Sequence, residues 1–420
     1  MTVTVNENDP QAPRVFRRLL TMWATSMAGD GVRMIAVPLL AKSLQPTAGA
    51  VAAVATAGAL PWLLVAVPAG ALVDRLNPVA TVISAHLARA LCCAALVVAV
   101  LTQVASIPLL CLVAFLMTSA ETFSDGASQS MMVRVIPSAQ LERANSRYVV
   151  IEVVALELVG PLAGGFTFRV AWWLPFLIAA AGFTVAALMM IGLLHRSFGG
   201  RPSSPKSGSM ITELREGLRV LFTDRVLRPL VLTVAMVAAA KEAQDAVQVI
   251  YATQTLGLSD RLYPTLFASF AVGTVVVAAL VTPLVRRWPA GRVMAAALAF
   301  FGGGMLVMGL APHPITAWIC YFVMGMAAGT WNVLSASRRQ RRTPRAMVAR
   351  VSSSFRVVAW GMTPVGAAAG GVIGNHLGVP AVSVVGGAVV LLVLLAASRS
   401  LIRAEPEPRE PDRAVGPEIG

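Results

Sequence analysis

Charged side chains are scarce in this chain of 420 residues. Only 13% of the residues are Asp, Glu, Lys or Arg, against about 25% in soluble proteins, and 57% are hydrophobic. A soluble domain cannot bury that much apolar surface in a single core. The shortage of charge therefore excludes a soluble globular protein and indicates a chain that lies largely in a lipid bilayer.

Cysteine, histidine and catalytic motifs are also few or missing. The four cysteines all lie in apolar stretches, so the sequence predicts no disulfide framework. The four histidines are scattered, without the spacing of a metal site. No GxxxxGKS or GxxxxGKT phosphate loop, nucleophile elbow or zinc-hydrolase signature occurs. We therefore expect no enzyme activity, no metal and no cofactor.

What the chain has instead is twelve apolar stretches, each long enough to cross a bilayer. A hydrocarbon core about 30 Å thick needs about 20 apolar residues in a helix. The sequence therefore predicts an all-α integral membrane protein with twelve spans, near residues 16–41, 47–71, 79–102, 107–133, 147–168, 172–194, 227–252, 263–285, 290–311, 314–337, 349–374 and 379–402.

The basic residues that give the net charge of +14 are concentrated in the connections between these spans. Most of the Lys and Arg residues lie in the N-terminal tail, the even-numbered loops and the C-terminal end, while Lys42, Arg169 and Arg261 lie on the opposite set. The positive-inside rule then places both termini in the cytoplasm. Basic charge is thus a topology signal, and we expect no nucleic-acid partner. Arginine far outnumbers lysine, a composition typical of GC-rich bacterial genomes, so we expect a multi-pass bacterial cell-membrane protein.

Two less apolar segments divide the chain. Residues 195–226 contain a Gly-, Ser- and Pro-rich linker followed by the amphipathic stretch "ITELREGLRVLF", expected at the cytoplasmic surface. The predicted organisation is a cytoplasmic tail (1–15), a six-helix bundle (16–194), this linker (195–226), a second six-helix bundle (227–403) and a disordered cytoplasmic tail (404–420).

The two halves resemble each other in sequence. Residues 122–137 align with 329–344, which places Asp125 opposite Asn332, and "GALVDR" (70–75) corresponds to "TPLVRR" (282–287). Three glycines of span five match three glycines of span eleven. Such an internal repeat is typical of transporters that bind their substrate between two related halves.

These motifs resemble the major facilitator superfamily. "GALVDRLNP" is similar to its loop motif between spans two and three, with Gly70, Asp74 and Arg75 matching, although Leu76 begins a stretch where basic residues are usual. "AETFSDGASQSMMVRVIPSAQLERAN" (120–145) and "WNVLSASRRQRRTP" (331–344) resemble its macrolide-efflux branch of drug:proton antiporters. The resemblance implies two pseudo-symmetric six-helix bundles and a secondary transporter without a cofactor.

A second motif adds the conformational residues of span five. "GPLAGG" is similar to the antiporter motif of the superfamily and contains Gly160, Pro161, Gly164 and Gly165. In the superfamily this small-residue surface meets the other half. Glu157 precedes the motif and is expected on the same surface.

Ionisable residues at membrane depth are costly, by about 2.5–3.5 kcal/mol on insertion scales, so each is a functional candidate. Asp30 and Arg33 lie three residues apart and predict either a structural ion pair or a role in coupling or substrate binding. The candidates for proton coupling or for lining the substrate cavity are Asp30, Arg33, Glu121, Asp125, Gln129, Glu157, Glu242 and Asp245.

Span four is the most informative of the charged spans. Glu121, Asp125 and Gln129 recur at helical spacing and form one polar stripe, which must face protein or a water-filled cavity. A carboxyl that can be protonated near neutral pH is what proton coupling requires. The alternative is a hydrogen-bonded network that anchors the span, through Arg89 of span three. In span seven, Lys241 is expected to pair with Asp245.

We expect a proton-coupled secondary exporter of small amphiphilic molecules, macrolide-like or siderophore-like, that works by alternating access, as a monomer among membrane lipids. The gradient of protons would supply the energy. Three alternatives stay open from sequence: a proton symporter for uptake of a small metabolite, a membrane-embedded enzyme and a non-transporting sensor.

Overall fold

The computed structural model describes residues 3–5, 12–73, 75–136, 140–194, 196–198, 210–343 and 347–402. Nearly all of them are helical and form twelve successive membrane-sized segments, which keep the span numbers used above. Their bounds are Ala12–Leu44, Ala48–Leu64 with Ala66–Val73, Pro78–Leu101, Ile107–Val135, Leu141–Ile151 with Glu152–Val159 and Gly160–Val170, Leu174–Ile191, Leu227–Ile250 with Tyr251–Thr255, Tyr263–Arg287, Ala290–Leu310, Pro314–Arg342, Val348–Gly361 with Thr363–His376, and Val379–Ile402.

Nine of the described segments are long and apolar enough to cross a membrane by length and composition. The other three are spans one, two and seven. Spans one and seven contain some of the charges that the sequence singled out, and span two is divided into two shorter helices. All three segments contribute residues to the cavity between the halves that is described below.

Proline explains the breaks in spans two and eleven. Pro68 has no N–H to donate to the carbonyl of Leu64, and the first helix of span two ends at that residue. Pro364 likewise cannot donate to Trp360, and the Thr363 hydroxyl donates to that carbonyl instead, at 2.7 Å. Spans five and seven contain π-helical segments, Glu152–Val159 and Tyr251–Thr255.

Glycine contacts repeat the same packing in both halves. An added Cβ at Gly160 would lie 2.5 Å from Gly31 of span one, and one at Gly366 would lie 2.2 Å from the Ala239 carbonyl of span seven. Spans one and five thus pack as spans seven and eleven do.

The halves also meet each other through matching positions. A Cβ at Gly165 of span five would contact Pro264 of span eight, and one at Gly371 of span eleven would contact Ala52 of span two. The interface between the halves is therefore built from spans five and eight on one side and spans two and eleven on the other.

The linker contributes two described elements. Met210–Thr223, called the linker helix, packs against the start of span eleven, where Ser354 donates to the Leu214 carbonyl at 3.1 Å and Arg350 pairs with Glu216 at 2.7 Å. Val3–Val5 and Arg196–Phe198 form a short parallel sheet that the sequence did not predict. The predicted flexible stretch at 199–209 and the predicted tail at 404–420 lie outside the described residues. We call the side of the molecule that carries the linker helix the linker end, and the opposite side the far end.

Candidate functional site

A cluster of buried charges joins spans one, three and four. Asp30 accepts hydrogen bonds from Arg33, at 3.1 Å, and from Arg89 of span three. Glu121 of span four lies 3.6 Å from Arg33 and 3.7 Å from Arg89. Two carboxyl groups and two guanidinium groups therefore form a single network, called the charge cluster. The predicted Asp30–Arg33 pair is confirmed, and so is the expected contact of Arg89 with span four.

Arg89 is the centre of the cluster. Its side chain is fully buried, its guanidinium donates to the Ser26 hydroxyl at 3.1 Å, and it lies 4.1 Å above the ring of Phe183. A buried guanidinium is stable only when it is paired with acids and hydrogen-bonded. From sequence, Arg89 is only one of the possible partners of the buried acids. His86 lies about one turn earlier on span three, and this second polar residue was the signal that could have singled out Arg89.

The network is not fully satisfied. Among the described residues, one carboxylate oxygen of Asp30 and the Nε atoms of Arg33 and Arg89 are buried without a hydrogen-bond partner. His86 lies next to the cluster, with its Nε2 atom 3.3 Å from the Met22 sulfur. Unsatisfied groups in a buried network make its arrangement sensitive to the addition of a proton, a water molecule or a ligand.

The other two residues of the predicted polar stripe, Asp125 and Gln129, lie closer to the linker end than the cluster. Asp125 is half-buried and has no salt bridge among the described residues, and Gln129 is exposed. The structure thus brings Glu121, but not Gln129, into the charge cluster.

Span seven carries the charges of the second half. Lys241 pairs with Asp245, as predicted, and its ammonium lies 4.8 Å from the ring centre of Phe270. Glu242 is half-buried, with no salt bridge among the described residues. Both acids of this span face the centre of the molecule.

A cavity of about 290 Å³ lies between the halves. Arg33 contributes from the first half, and Glu242 and Asp245 contribute from the second. The rest of the wall is largely apolar and includes Trp62 and Phe267. An apolar cavity with a few polar groups is the usual form of a small-molecule site. We call it the central cavity; through Arg33 it is in direct contact with the charge cluster.

The glycines of the span-five motif contact two different neighbours. Gly160 and Gly164 pack against span one of their own half, so the expectation that they meet the other half is wrong. The π-helical segment before Gly160 has more residues per turn than an α-helix, and it rotates the face that follows. Gly165 does meet span eight of the other half. Pro161 is buried beside them, while Glu157 is half-buried in the π-helical segment.

The loop motif is only partly described. Gly70 lies in the second helix of span two and Arg75 in the following turn, which Asn77 ends by capping span three. Asp74 lies outside the described residues.

The far end of the central cavity is closed by contacts between the halves. Lys42 pairs with Asp260 at 2.6 Å, and the Gly49 N–H donates to the Asn375 side chain at 2.9 Å. Toward the linker end, Trp62 stacks on Trp360 with ring centres 5.9 Å apart. The sequence did not predict the Lys42–Asp260 pair, although Lys42 was one of the few basic residues that departed from the loop pattern.

Comparison with known proteins decides the family. The family model described as Major Facilitator Superfamily matches residues 19–360 and 245–418. The chain belongs to the major facilitator superfamily. It is also 25% identical over 381 residues to a protein named multidrug efflux pump Tap from Mycolicibacterium fortuitum, with 86% of this chain and 90% of that protein covered.

Solved structures of the superfamily share the fold. A bacterial homologue of the iron transporter ferroportin, in an inward-facing state, has a TM-score of 0.74 at 16% identity and covers 93% of this chain and 99% of that one. A bacterial homologue of the human lysosomal transporter Spinster, inward-facing and unoccupied, has a TM-score of 0.72 at 15% identity and covers 96% and 100%. The predicted fold, two pseudo-symmetric six-helix bundles, is confirmed.

Membership of the superfamily establishes the general role. The chain is a transporter and not an enzyme, it is a multi-pass membrane protein, and its cargo is a small molecule. The central cavity is the place in this fold where both halves reach such a cargo.

Proposed function

We propose that this superfamily member is a proton-coupled exporter of small amphiphilic molecules, resident in a bacterial cell membrane, with both termini in the cytoplasm and active as a monomer. The observation that carries the proposal is the charge cluster of the first half, in contact with the central cavity through Arg33. The efflux direction is supported by relatives that are named multidrug efflux pumps.

The cluster has the composition that coupling requires. Arg33 lies within reach of both Asp30 and Glu121, so protonation of one acid would shift Arg33 toward the other. Arg33 also lines the central cavity. A proton taken up at Glu121 would therefore change the charge and the shape of the cavity wall at one residue, and a positively charged cargo would be released as the proton is bound.

The two ends of the cavity support alternating access. With the basic linker end in the cytoplasm, the far end faces outward, and the Lys42–Asp260 and Gly49–Asn375 contacts lie on the outer side. Opening these contacts and closing the linker end would carry the cavity from one side to the other. This movement needs only rigid rotation of the halves about the packed glycine interfaces.

The test uses the purified full-length chain in liposomes, with ethidium and erythromycin as probe cargoes. The Glu121→Gln and Asp125→Asn variants, singly and together, should lose gradient-driven transport of either probe by about tenfold or more while keeping exchange of probe across the membrane without a gradient. Glu216→Gln is the control, because Glu216 is an exposed acid of the linker helix, away from span four and the charge cluster.

Two results would contradict the proposal. Undiminished gradient-driven transport in all the single and double amide variants would remove the coupling role from span four. Probe movement in the same direction as the protons would instead indicate a symporter for uptake.

A further inference from the structure

A second cavity, of about 310 Å³, lies within the second half alone. Spans seven, nine, ten and eleven form its walls, and on spans seven and eleven its residues lie closer to the linker end than those of the central cavity. Trp360 belongs to the walls of both cavities. The second cavity therefore lies beside the path between the central cavity and the linker end. We call it the arginine pocket.

Its charges all have one sign. Arg339 and Arg356 line the pocket, and no acid is among the described side chains that do so. Two described acids near this end have other partners, since Glu216 pairs with Arg350 and Asp224 lies 3.5 Å from Arg342. Two guanidinium groups that share one small cavity repel each other, and a bound anion would offset that repulsion.

Further donors are available in the same wall. The indole N–H of Trp331 and the Nε of Arg339 are buried without a hydrogen-bond partner among the described residues. Trp331 is only 7% exposed, so water cannot easily satisfy it. Buried donors without partners are uncommon and indicate a missing acceptor.

The rest of the wall is mostly aromatic and apolar, with Asn332 and Ser335 as its neutral polar residues. Phe301, Phe355, Trp331 and Trp360 line it, and the Arg339 guanidinium lies 4.0 Å from the ring centre of Phe355. Such walls hold a flat apolar body, while the guanidinium groups hold a carboxylate, sulfonate or phosphate. The volume is near the lower bound of known ligand pockets, about 300 Å³.

The topology of the loops does not explain Arg356. Loop arginines set membrane topology, and Arg339 lies in the last turn of span ten next to such a loop, but Arg356 lies about two turns inside span eleven. The first half does not repeat Arg339, because the repeat of 122–137 in 329–344 places Met132 at the aligned position.

We propose that the arginine pocket is a binding site for an anionic amphiphile, in which Arg339, Arg356 and the Trp331 N–H hold the anionic group and the aromatic side chains hold the apolar body. The site goes beyond the export function proposed above and does not depend on it. Two sources have this chemistry: a soluble anionic amphiphile and the headgroup of an anionic lipid.

The test measures binding of naphthalene-1-sulfonate to the purified full-length chain in maltoside micelles by equilibrium dialysis, without any gradient. The Arg339→Gln and Arg356→Gln double variant should bind at least about tenfold more weakly than the unaltered chain. Trp331→Phe, which keeps a ring and loses the N–H, should weaken binding about threefold or more. Arg292→Gln is the matched control, since Arg292 is an exposed arginine that lines a different pocket.

Equal affinity in the double variant and in the Arg292→Gln control would overturn the proposal. If the double variant does not fold, unchanged binding by Trp331→Phe and by each single Gln variant would overturn it as well. Nanodiscs separate the two sources. Loss of sulfonate binding when phosphatidylglycerol is added to phosphatidylcholine supports a lipid headgroup as the occupant, and unchanged binding supports a soluble amphiphile. Failure of gradient-driven transport would leave these binding results unaffected.

Discussion

The two halves of this transporter share their packing but not their charges. Gly160 and Gly366 let matching pairs of helices approach in the same way. Span four nevertheless carries Glu121 and Asp125, while the aligned positions of span ten are Ala328 and Asn332. The scaffold is thus symmetric and its chemistry is not.

The buried polar groups of the second half are mostly neutral. Gln244 of span seven donates to the Tyr321 hydroxyl at 2.8 Å, and the Tyr251 hydroxyl donates to the Met308 carbonyl at 2.6 Å. The ion pair of span seven, Lys241–Asp245, borders the central cavity instead of being sealed in the core. A neutral network keeps its structure when protons bind or leave, whereas the charge cluster of the first half does not. The difference supports the proposal that proton coupling depends on the first half.

The largest loss of stability is expected at Arg89, where the two halves differ most in buried charge. Replacing it in Arg89→Met leaves Asp30 and Glu121 buried without their main counter-charge, which should lower the free energy of unfolding by about 3–5 kcal/mol. Lys241→Met in the second half should cost less, because the Lys241 side chain is partly exposed. Thermal unfolding in detergent, followed by the loss of monodisperse protein, measures both.

A double variant tests whether Arg89→Met loses stability because it leaves an acid unpaired. Adding Asp30→Asn to it removes the stranded charge and should recover part of the lost stability. Equal destabilisation by Arg89→Met and Lys241→Met, or no recovery in the double variant, would contradict the assignment of a charged core to the first half alone.

A smaller and symmetric effect is expected at the packing glycines. In Gly160→Ala and Gly366→Ala the new methyl group meets backbone atoms at 2.5 Å and 2.2 Å, so the helices must separate. Each substitution should cost about 1–3 kcal/mol, and the two costs should be similar. Gly303→Ala is the control, because an added Cβ there has no neighbour within 4 Å. Thermal unfolding that differs strongly between the two variants would show that the shared packing is not equivalent.

The sequence predicted the scaffold better than the site. Apolar length and glycine spacing are local signals, so the twelve spans and the repeat of 160–165 in 366–371 could be read directly from the residues. The π-helical segment before Gly160 could not, nor could the contacts of Gly160 and Gly164 with span one. A helical stripe drawn at 3.6 residues per turn fails across such a segment.

The missed site residues share one property, which is a partner distant in sequence. Asp30–Arg33 and Lys241–Asp245 lie within one helical turn and were predicted from spacing. The Arg89–Asp30 and Lys42–Asp260 pairs join residues on different spans, so only the packing of the helices determines them. Local periodicity carries no information on such pairs.

The smallest effect is expected at the Lys42–Asp260 pair, which joins the two halves at the far end. Asp260→Asn removes the charge opposite Lys42 at 2.6 Å, and both side chains are partly exposed, so the pair contributes about 0–1 kcal/mol to closure. Its loss should raise the fraction of molecules open at the far end by up to about fivefold. Ala55→Cys, on the wall of the central cavity in a background without the four native cysteines, reports this as faster labelling by a membrane-impermeant thiol reagent added on the side of the far end.

The matched control removes an acid from an ion pair at the linker end. Glu216→Gln breaks the contact with Arg350, which lies within the second half and its linker helix, and it should leave the labelling rate of Ala55→Cys unchanged. Exchanging the charges in the Lys42→Asp and Asp260→Lys double variant should restore slow labelling, because the attraction between the halves is the same in either orientation. If Asp260→Asn labels no faster than its parent, the glycine and Asn375 contacts alone hold the far end closed, and the halves are joined there by packing instead of charge.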